Sequence, residues 1–346
     1  MPSISLVVPV YGVEKYIYQF LDSIHQQTFL DFEAILVDDG SKDNCPQILD
    51  EYASKDKRFH VIHQPNGGVS AARNTGLSYI KGKYVYIVDS DDWLEPTALE
   101  SLWTEAERTD ADLIYGDYIR ETEKPTLAHC FEKPFVTEDI DTIRALQFAT
   151  NMNGNKVIIR RPEFNSIDHF GGAPWRAMIK TSIIKDNNLR FDPTVRGLGD
   201  DILFTLHLYE YVHKVAYIQA PIYHYRVIET SYSHGFKANY LENMKLIFTR
   251  HEEFLIEYKK DGYMYKSYYL RVVIYLMQGM ERYFKNSGNT KPERDRYEEF
   301  VQLIKTSPYR EAIVKAPTRI LTRKRLVASI FCLRLRMNRL FWRICI

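Results

Sequence analysis

Clusters of acidic and glycine residues follow three of the apolar segments near the start of the chain. They read Asp38-Asp39-Gly40-Ser41, Asn66-Gly67-Gly68 and Asp89-Ser90-Asp91-Asp92. Neighbouring carboxylates repel one another unless a cation neutralises them, and hard oxygen ligands favour Mg²⁺ or Mn²⁺. The sequence therefore predicts a metal site at residues 89–92. The alternative is an acidic turn in which Asp92 caps the following helix.

The glycine cluster opens a segment that could bind an anion. Residues 66–76 read NGGVSAARNTG, a glycine turn followed by a helix of small residues. Backbone N–H groups at a helix start attract anions, and Arg73 lies one turn into the helix, within reach of a nucleotide. The segment matches neither the GxGxxG nor the GxxxxGK[ST] pattern, so the dinucleotide-binding and P-loop classes lose support.

The elements that must position these clusters alternate along the first third of the chain. Apolar runs predict strands at 4–10, 33–37, 59–63, 84–88 and 112–119, with helices at 15–27, 43–56, 69–80 and 96–108. This alternation is typical of an α/β domain with a mainly parallel sheet. Ligands of such sheets bind beyond the carboxyl ends of the strands, so we expect the three clusters to line one crevice. Helices are predicted again at 239–260, 264–285, 293–306 and 319–344.

Charge is distributed unevenly between the body of the chain and its end. The 346 residues carry 46 Lys and Arg against 45 Asp and Glu, a net charge of +1 that argues against a strongly basic nucleic-acid-binding protein. Nine of the basic residues and no acidic one lie between Lys315 and the last residue, which leaves 37 basic against 45 acidic residues in 1–314. The four cysteines form no CxxC pair, and no segment is apolar enough to span a membrane. We therefore expect a cytoplasmic protein with no nucleic acid among its partners.

The motifs taken together resemble a known family. The segments SLVVPVYG, ILVDDGSKD, NGGVSAARNTG, YIVDSDDWLEP, GLGDD and YHYRVIETSYS follow in the order found in family 2 glycosyltransferases with the GT-A fold, notably bacterial enzymes of capsule and exopolysaccharide synthesis. The resemblance implies a catalytic domain at 1–237, divided into a nucleotide-binding half (1–119) and an acceptor half (120–237). A helical extension (238–314) and a basic amphipathic helix (315–346) would follow.

The resemblance also implies the donor and the residues that bind it. Ten residues would contact a UDP-sugar: Pro9, Val10, Tyr11, Asp39, Arg73, Asp89, Asp91, Arg226, Ser231 and Ser233. Asp39 would accept the N3–H of uracil, which cytosine lacks, and Asp89 would face the ribose. Asp91 would bind Mn²⁺ or Mg²⁺ at the diphosphate, with His234 as a candidate further ligand. Arg226 would pair with the diphosphate while Ser231 and Ser233 supply hydroxyl groups.

The acid pair in GLGDD would carry the chemical step. By resemblance, Asp201 is the general base that takes the proton from an acceptor hydroxyl, and one in-line displacement inverts the anomeric centre. Asp200 and Trp175 would lie near the acceptor, a glycan or a lipid-linked glycan. Without the resemblance, Asp200 and Asp201 read as the N-cap and first-turn acids of a helix.

Three other function classes fit parts of the pattern. A haloacid-dehalogenase-type phosphatase uses DxD after its first strand, whereas here the motif follows the fourth, and Trp93 stands where that class has a small residue. A nucleotidyltransferase would have a glycine-rich loop with Lys or Arg after the first strand. A non-catalytic module that binds nucleotide sugars remains the main alternative, although it has no need of Asp91, Asp201 and Arg226 together.

The basic tail predicts a membrane contact. In one helix, Leu326, Ile330, Leu333, Met337, Leu340 and Ile344 would form one apolar stripe, and Phe331, Leu335, Trp342 and Ile346 a second on the opposite side. One stripe would pack on the body and the other would enter an anionic lipid surface. The enzyme would then be peripheral on the inner face of the plasma membrane. The alternative is a helix docked in the core or in a homodimer interface.

Overall fold

The computed structural model describes residues 1–152, 154–195, 199–227 and 235–344. Contacts divide the chain into two compact units. The first contains Met1–Arg144, Arg161–Phe164 and Gly172–Val227, and the second contains Ala145–Arg160, Asn165–Gly171 and Ile228–Ile346. Residues from the predicted acceptor half thus belong to the helical unit. The sequence-based division at residues 237 and 314 stays a prediction about function.

A ten-stranded mixed sheet forms the centre of the first unit, with the main strand order β3-β2-β1-β4-β9-β6-β10-β5. The strands are β1 (Ile4–Val10), β2 (Phe32–Asp38), β3 (Phe59–His63), β4 (Tyr84–Ile87), β5 (Trp93–Leu94), β6 (Leu113–Glu121), β7 (Thr126–Ala128), β8 (Phe135–Thr137), β9 (Ala177–Lys180) and β10 (Val215–Arg226). Strands β1 to β4 are parallel to one another, whereas β9 is antiparallel to both β4 and β6. The α/β fold expected from the sequence is confirmed, but the mainly parallel sheet is not: strands β5, β7, β8 and β9 pair antiparallel with their neighbours.

Helices cover the sheet of the first unit. They are α1 (Glu14–His25), α2 (Cys45–Lys55), α3 (Val69–Tyr79), α4 (Ala98–Thr109), α5 (Ile140–Ala149, whose last residues belong to the second unit), α6 (Thr181–Asp186) and α7 (Asp200–Leu208). Every residue of β1 and β2 is buried, as the apolar, β-branched runs at 4–10 and 33–37 require. The strands and helices predicted in the first third agree with these bounds within about two residues at each end.

Parallel pairing brings the three predicted clusters to one edge of the sheet. The register pairs Val10 with Asp38 and Asp38 with His63, so β1, β2 and β3 end side by side. Strand β4 lies on the other side of β1 and leads directly into residues 89–92. The carboxyl ends of these four strands therefore form the floor on which the candidate site is built.

The second unit is helical. After α5, its helices are α8 (Tyr240–Glu257), α9 (Gly262–Gly279), α10 (Glu293–Leu303), α11 (Tyr309–Lys315), α12 (Lys324–Arg334) and α13 (Asn338–Ile344). A π-helical turn at Met280–Phe284 continues α9. The Asp261 side chain caps α9 by accepting hydrogen bonds from the backbone N–H groups of Tyr263 and Met264.

The single C-terminal helix predicted at 319–344 is wrong. Helix α12 ends at Arg334, Arg336 has a left-handed backbone with φ of +57°, and α13 begins at Asn338. Because of this break, apolar residues of α12 and α13 that would share one face of a continuous helix no longer point in the same direction. Each predicted stripe is therefore mixed. Trp342 is buried whereas Phe331 and Leu335 of the same stripe are exposed. In the other stripe, Ile330 and Leu333 are buried whereas Met337 and Leu340 are exposed.

Candidate functional site

The carboxylate of Asp39 is fixed by the glycine turn that follows β3. It is almost fully buried and accepts hydrogen bonds from the backbone N–H groups of Gly67 and Gly68, at 2.9 and 2.7 Å. Gln64 Nε2 donates to it at 2.7 Å. A carboxylate offers about four acceptor positions, so these three donors fix its direction and leave capacity for one more. Hydrogen bonds thus join the acidic cluster after β2 to the glycine turn after β3, and the crevice expected from the sequence stays a prediction.

Residues at the end of β1 differ in accessibility. Pro9 and Val10 are buried within the strand, while the side chain of Tyr11 is 54% exposed just beyond it. Ser90 Oγ donates to the carbonyl oxygen of Pro9 at 2.8 Å, which ties the turn after β4 to β1. Tyr11 is therefore the one of the three whose side chain can meet a ligand directly. A base-binding role for Pro9 and Val10 stays a prediction.

Arg73 connects the two acidic clusters on either side of the site. Its Nη2 donates to Asp89 Oδ1 at 2.9 Å and its Nη1 to Asp200 Oδ2 at 3.4 Å, and the guanidinium lies 5.1 Å above the ring of Phe191. Burial opposes the charge, but Asp89 and Asp200 outweigh it and raise the pKa of Arg73. Because the side chain of Arg73 is buried, its positive charge is balanced by the carboxylates of Asp89 and Asp200. Direct contact with a nucleotide stays a prediction.

The turn after β4 concentrates negative charge. Burial, followed by the charge of Asp89, raises the pKa of Asp91 to about 6. Burial and then Asp91 raise the pKa of Asp92 well above its ordinary value. A divalent cation at Asp91 would relieve this repulsion, so the donor chemistry fits Mg²⁺ or Mn²⁺. Among the residues that the structure describes, no three His, Cys, Asp or Glu side chains are placed to hold a metal together. Such an ion would take its other ligands from phosphate and water.

Arg226, at the end of β10, lies directly against this turn. Its Nε donates to the carbonyl oxygen of Asp91 at 2.8 Å, and its Nη2 donates to Gln19 Oε1 at 2.6 Å. The guanidinium lies 4.9 Å from the ring of Tyr16 and 4.6 Å from that of Trp93. The structure therefore brings Arg226 and Asp91 together, and their contacts with a donor stay a prediction. Gln19 and Tyr16 were missed, because nothing in their spacing links α1 to a strand more than 200 residues later.

The two acids of GLGDD lie in the first turn of α7 and have different surroundings. Asp200 is buried and accepts a hydrogen bond from Ser70 Oγ at 2.7 Å besides its pair with Arg73. Asp201 is partly exposed, and its Oδ1 accepts the N–H of Ile202 at 2.8 Å. The N-terminus of a helix stabilises both negative charges. Accessibility therefore favours Asp201 over Asp200 as the acid that meets a substrate.

Trp175 is part of the core beneath the site. It is buried and stacks on Tyr223, with ring centroids 4.5 Å apart and planes 13° apart, and on Tyr225 at 5.6 Å and 14°. Acceptor contacts predicted for Trp175 and Asp200 remain untested, and both side chains are buried here. Ser231, Ser233 and His234 lie outside the described residues.

Comparison with known proteins identifies the family. The sequence model described as "Glycosyl transferase family 2" matches residues 5–164. The chain is also 30% identical to the putative glycosyltransferase EpsH of Bacillus subtilis over 293 residues, which cover 84% of this chain and 80% of EpsH. The chain belongs to glycosyltransferase family 2. The matched residues include the turn from Asp89 to Asp92 and exclude the acid pair at Asp200.

Solved structures show the same architecture as this family 2 glycosyltransferase. Residues 1–349 of S. aureus TarS in complex with UDP-GlcNAc superpose with a TM-score of 0.66 at 20% identity, covering 99% of this chain and 90% of that one. The mannosyltransferase PcManGT of Pyrobaculum calidifontis, in complex with GDP-Man and Mn²⁺, superposes with a TM-score of 0.51 at 14% identity, covering 97% and 86%. The fold is GT-A-like, as expected from the sequence.

Proposed function

We propose that this glycosyltransferase moves a sugar from a UDP-sugar to a hydroxyl group of a glycan or lipid-linked glycan in the synthesis of a cell-surface polysaccharide. The observation that carries the proposal is the chain of contacts from Asp89 through Arg73 to Asp200. This chain of contacts links Asp89, proposed to bind the donor, with Asp200, the neighbour of the proposed general base Asp201. TarS, which shares the fold, binds UDP-GlcNAc, and this supports a uridine nucleotide as donor.

Donor recognition would begin at Asp39. Its carboxylate is held by Gly67 and Gly68 and can accept the N3–H of uracil, which rejects cytosine because that base has no donor at this position. Asp89 would hydrogen bond to the ribose, and Arg226 would pair with the diphosphate. Asp91 would hold Mn²⁺ or Mg²⁺, a Lewis acid that neutralises charge on the departing diphosphate.

Asp201 would act as the general base. Its carboxylate takes the proton of the acceptor hydroxyl while that oxygen forms a bond to the anomeric carbon and the bond from this carbon to the diphosphate oxygen breaks. UDP leaves from the opposite face, so the configuration inverts. Arg73 and Ser70 hold Asp200, the neighbour of Asp201, and thereby orient the first turn of α7.

A non-catalytic binding module, the alternative drawn from the sequence, has no observation in its favour. Such a module would not need a partly exposed acid at a helix N-terminus beside a buried, hydrogen-bonded one.

The C-terminal helices support a proposed contact with an anionic membrane at the cytoplasmic face. Four exposed apolar side chains and three exposed arginines alternate along them: Phe331, Leu335, Met337 and Leu340, with Arg336, Arg339 and Arg343. Apolar side chains that enter a lipid interface beside cations bind anionic headgroups. Within the described ranges, every helix is too short or too polar to cross a bilayer.

The proposed reaction is tested by incubating the full chain with a series of UDP-sugars and Mn²⁺ and measuring UDP release and thermal stabilisation. One UDP-sugar should raise the melting temperature and be hydrolysed slowly, and GDP- and CDP-sugars should do neither. Equal stabilisation by UDP and CDP would contradict the role of Asp39. Stabilisation without any turnover in the presence of candidate acceptors would favour the binding module.

A further inference from the structure

The third aspartate of the turn after β4 has no role in the function proposed above. The side chain of Asp92 is almost completely buried and accepts two hydrogen bonds from β10. Tyr223 Oη donates to Asp92 Oδ2 at 2.8 Å, and the backbone N–H of Arg226 donates to Oδ1 at 2.7 Å. One carboxylate therefore binds both the middle and the end of this strand.

Two further hydrogen bonds join the same pair of segments. The backbone N–H of Asp89 donates to Tyr223 Oη at 3.2 Å, and Arg226 Nε donates to the carbonyl oxygen of Asp91 at 2.8 Å. Tyr223 itself is fully buried and stacked on Trp175, so its hydroxyl group is held in place by the core. The turn is thus attached to β10 at its start, its middle and its end.

We propose that Asp92 and Tyr223 are positioning residues that fix the distance and orientation between Asp91 and Arg226. This inference rests on the proposed function, which assigns the metal to Asp91 and the diphosphate to Arg226. A metal-bound diphosphate must meet both groups at once, and a displacement of about 1 Å in such a site costs roughly a hundredfold in rate. Buried polar groups are costly to leave without their hydrogen-bond partners, so these contacts hold the turn and β10 in one arrangement.

The chain contains a matched control on the same strand. Tyr217 is also buried in β10, and its Oη donates to Oδ1 of the fully buried Asp117 at 2.5 Å. Tyr217→Phe and Tyr223→Phe each remove one hydroxyl group from a buried tyrosine–aspartate pair. Only Tyr223 contacts the turn that carries Asp91. A general loss of stability would affect both variants, whereas a loss of positioning would affect Tyr223→Phe alone.

The test measures Mn²⁺-dependent UDP binding to the full chain by calorimetry and amide hydrogen exchange of the ligand-free protein. We expect Tyr223→Phe to weaken UDP binding about tenfold, because part of the binding energy must then restore the arrangement that the hydroxyl group had fixed, and to speed exchange at residues 89–92 and at 226. Tyr217→Phe should leave both unchanged. Asp92→Asn, which keeps an acceptor for the N–H of Arg226, should bind UDP more tightly than Asp92→Ala.

The outcomes separate this inference from the function on which it rests. If the wild-type protein binds UDP with Mn²⁺ but Tyr223→Phe behaves like Tyr217→Phe, the positioning role is wrong and the proposed function stands. Faster exchange with unchanged UDP affinity would likewise refute it, because the contacts would then serve stability only. If the wild-type protein binds no nucleoside diphosphate, the proposed function fails and the positioning role fails with it. Should Tyr223→Phe not fold, the comparison of Asp92→Asn with Asp92→Ala decides the question.

Discussion

Arg73 Nη1 lies 3.4 Å from Oδ2 of Asp200, a residue 127 positions further along the chain. Helix α3, which carries Arg73, also contacts β1 and β2, so the guanidinium is anchored to the most deeply buried part of the sheet. Asp200 opens α7, the helix that presents Asp201. The pair therefore fixes the position of the candidate base relative to the strands that carry the proposed donor-binding residues.

Removing this cation should destabilise the protein severely. Arg73→Ala leaves Asp89 and Asp200 with an uncompensated negative charge at a buried site, and such losses cost about 3–5 kcal/mol of unfolding free energy. Urea denaturation of the variant and the wild type would measure this loss of unfolding free energy. Arg294→Ala is the control, because Arg294 and its partner Glu298 are both exposed, and the urea midpoint of this variant should not move. Similar midpoints for both variants would show that the Arg73 pairs contribute little.

Asp201→Asn should separate binding from transfer. The amide cannot take a proton, so we expect kcat to fall by about 10² to 10⁴ while UDP-sugar affinity is unchanged. Asp110→Asn is a suitable control, since Asp110 pairs with Lys180 and Lys83 near the surface of the same unit. Wild-type turnover by Asp201→Asn on the true acceptor would exclude it as the base.

Metal-dependent donor binding should weaken in acid. The pKa of Asp91 is about 6, raised by burial and by Asp89, and a carboxylate must be ionised to bind a cation. Mn²⁺-dependent UDP affinity should therefore be constant above pH 7 and decline by about tenfold per pH unit well below 6. Titration calorimetry from pH 5 to 8 would show this, with Asp91→Ala lacking the metal-dependent component throughout. A flat profile would mean that Asp91 is ionised over the whole range or is not a ligand.

The same shift predicts how stability depends on pH without metal. Because the folded-state pKa of Asp91 exceeds its ordinary value of 3.8, the folded protein binds more protons between these values, and stability is lost as pH rises through about 6. Asp91→Asn should remove this loss of stability, because the amide does not ionise. In EDTA the variant should melt above the wild type at pH 8, and the difference should shrink toward pH 5. A lower melting temperature at pH 8 would contradict the sign.

Replacing the four exposed apolar residues of the C-terminal helices should release the protein from anionic vesicles. Truncation after Lys315 is unsuitable, because it would remove the buried side chains of Ile330, Phe341 and Trp342. We expect Phe331, Leu335, Met337 and Leu340 changed together to Ser to abolish co-sedimentation with phosphatidylglycerol vesicles, since the change removes the apolar area that enters the interface. Ile256→Ser, at an exposed site on α8, is the control. Unchanged sedimentation of the fourfold variant would exclude this surface.

Sequence alone predicted the elements whose signals are local. The runs at 4–10 and 84–88 are apolar and β-branched, so the strands and the polar clusters after them could be placed. Contacts between residues that are distant in the sequence could not be predicted in this way. The bond from Tyr223 to Asp92 depends on the pairing of β10 with the two-residue strand β5, for which the sequence has no periodic signal. For Asp92, the sequence predicts only a helix cap or membership of the acidic cluster at residues 89–92.

The break in the C-terminal helix was missed for a different reason. Residues 326–344 keep an unbroken helical apolar pattern, so periodicity favours one helix. Tertiary packing overrides it: the ring of Phe341 stacks on Phe300 with centroids 5.2 Å apart, and Trp342 Nε1 donates to Glu293 at 3.0 Å. These contacts turn α13 so that each predicted stripe has both buried and exposed members.

The position of Arg73 between Asp89 and Asp200 limits how this enzyme can be altered. A substitution at Asp89, the residue proposed to face the ribose, would also change the charge that balances the guanidinium and would therefore alter the pairing of Arg73 with Asp200. With the proposed roles, donor binding at Asp89 and the orientation of the candidate base Asp201, which follows Asp200, are linked through the side chain of Arg73. Under those roles, a variant changed at 89 will need a compensating change at 200 to keep its turnover.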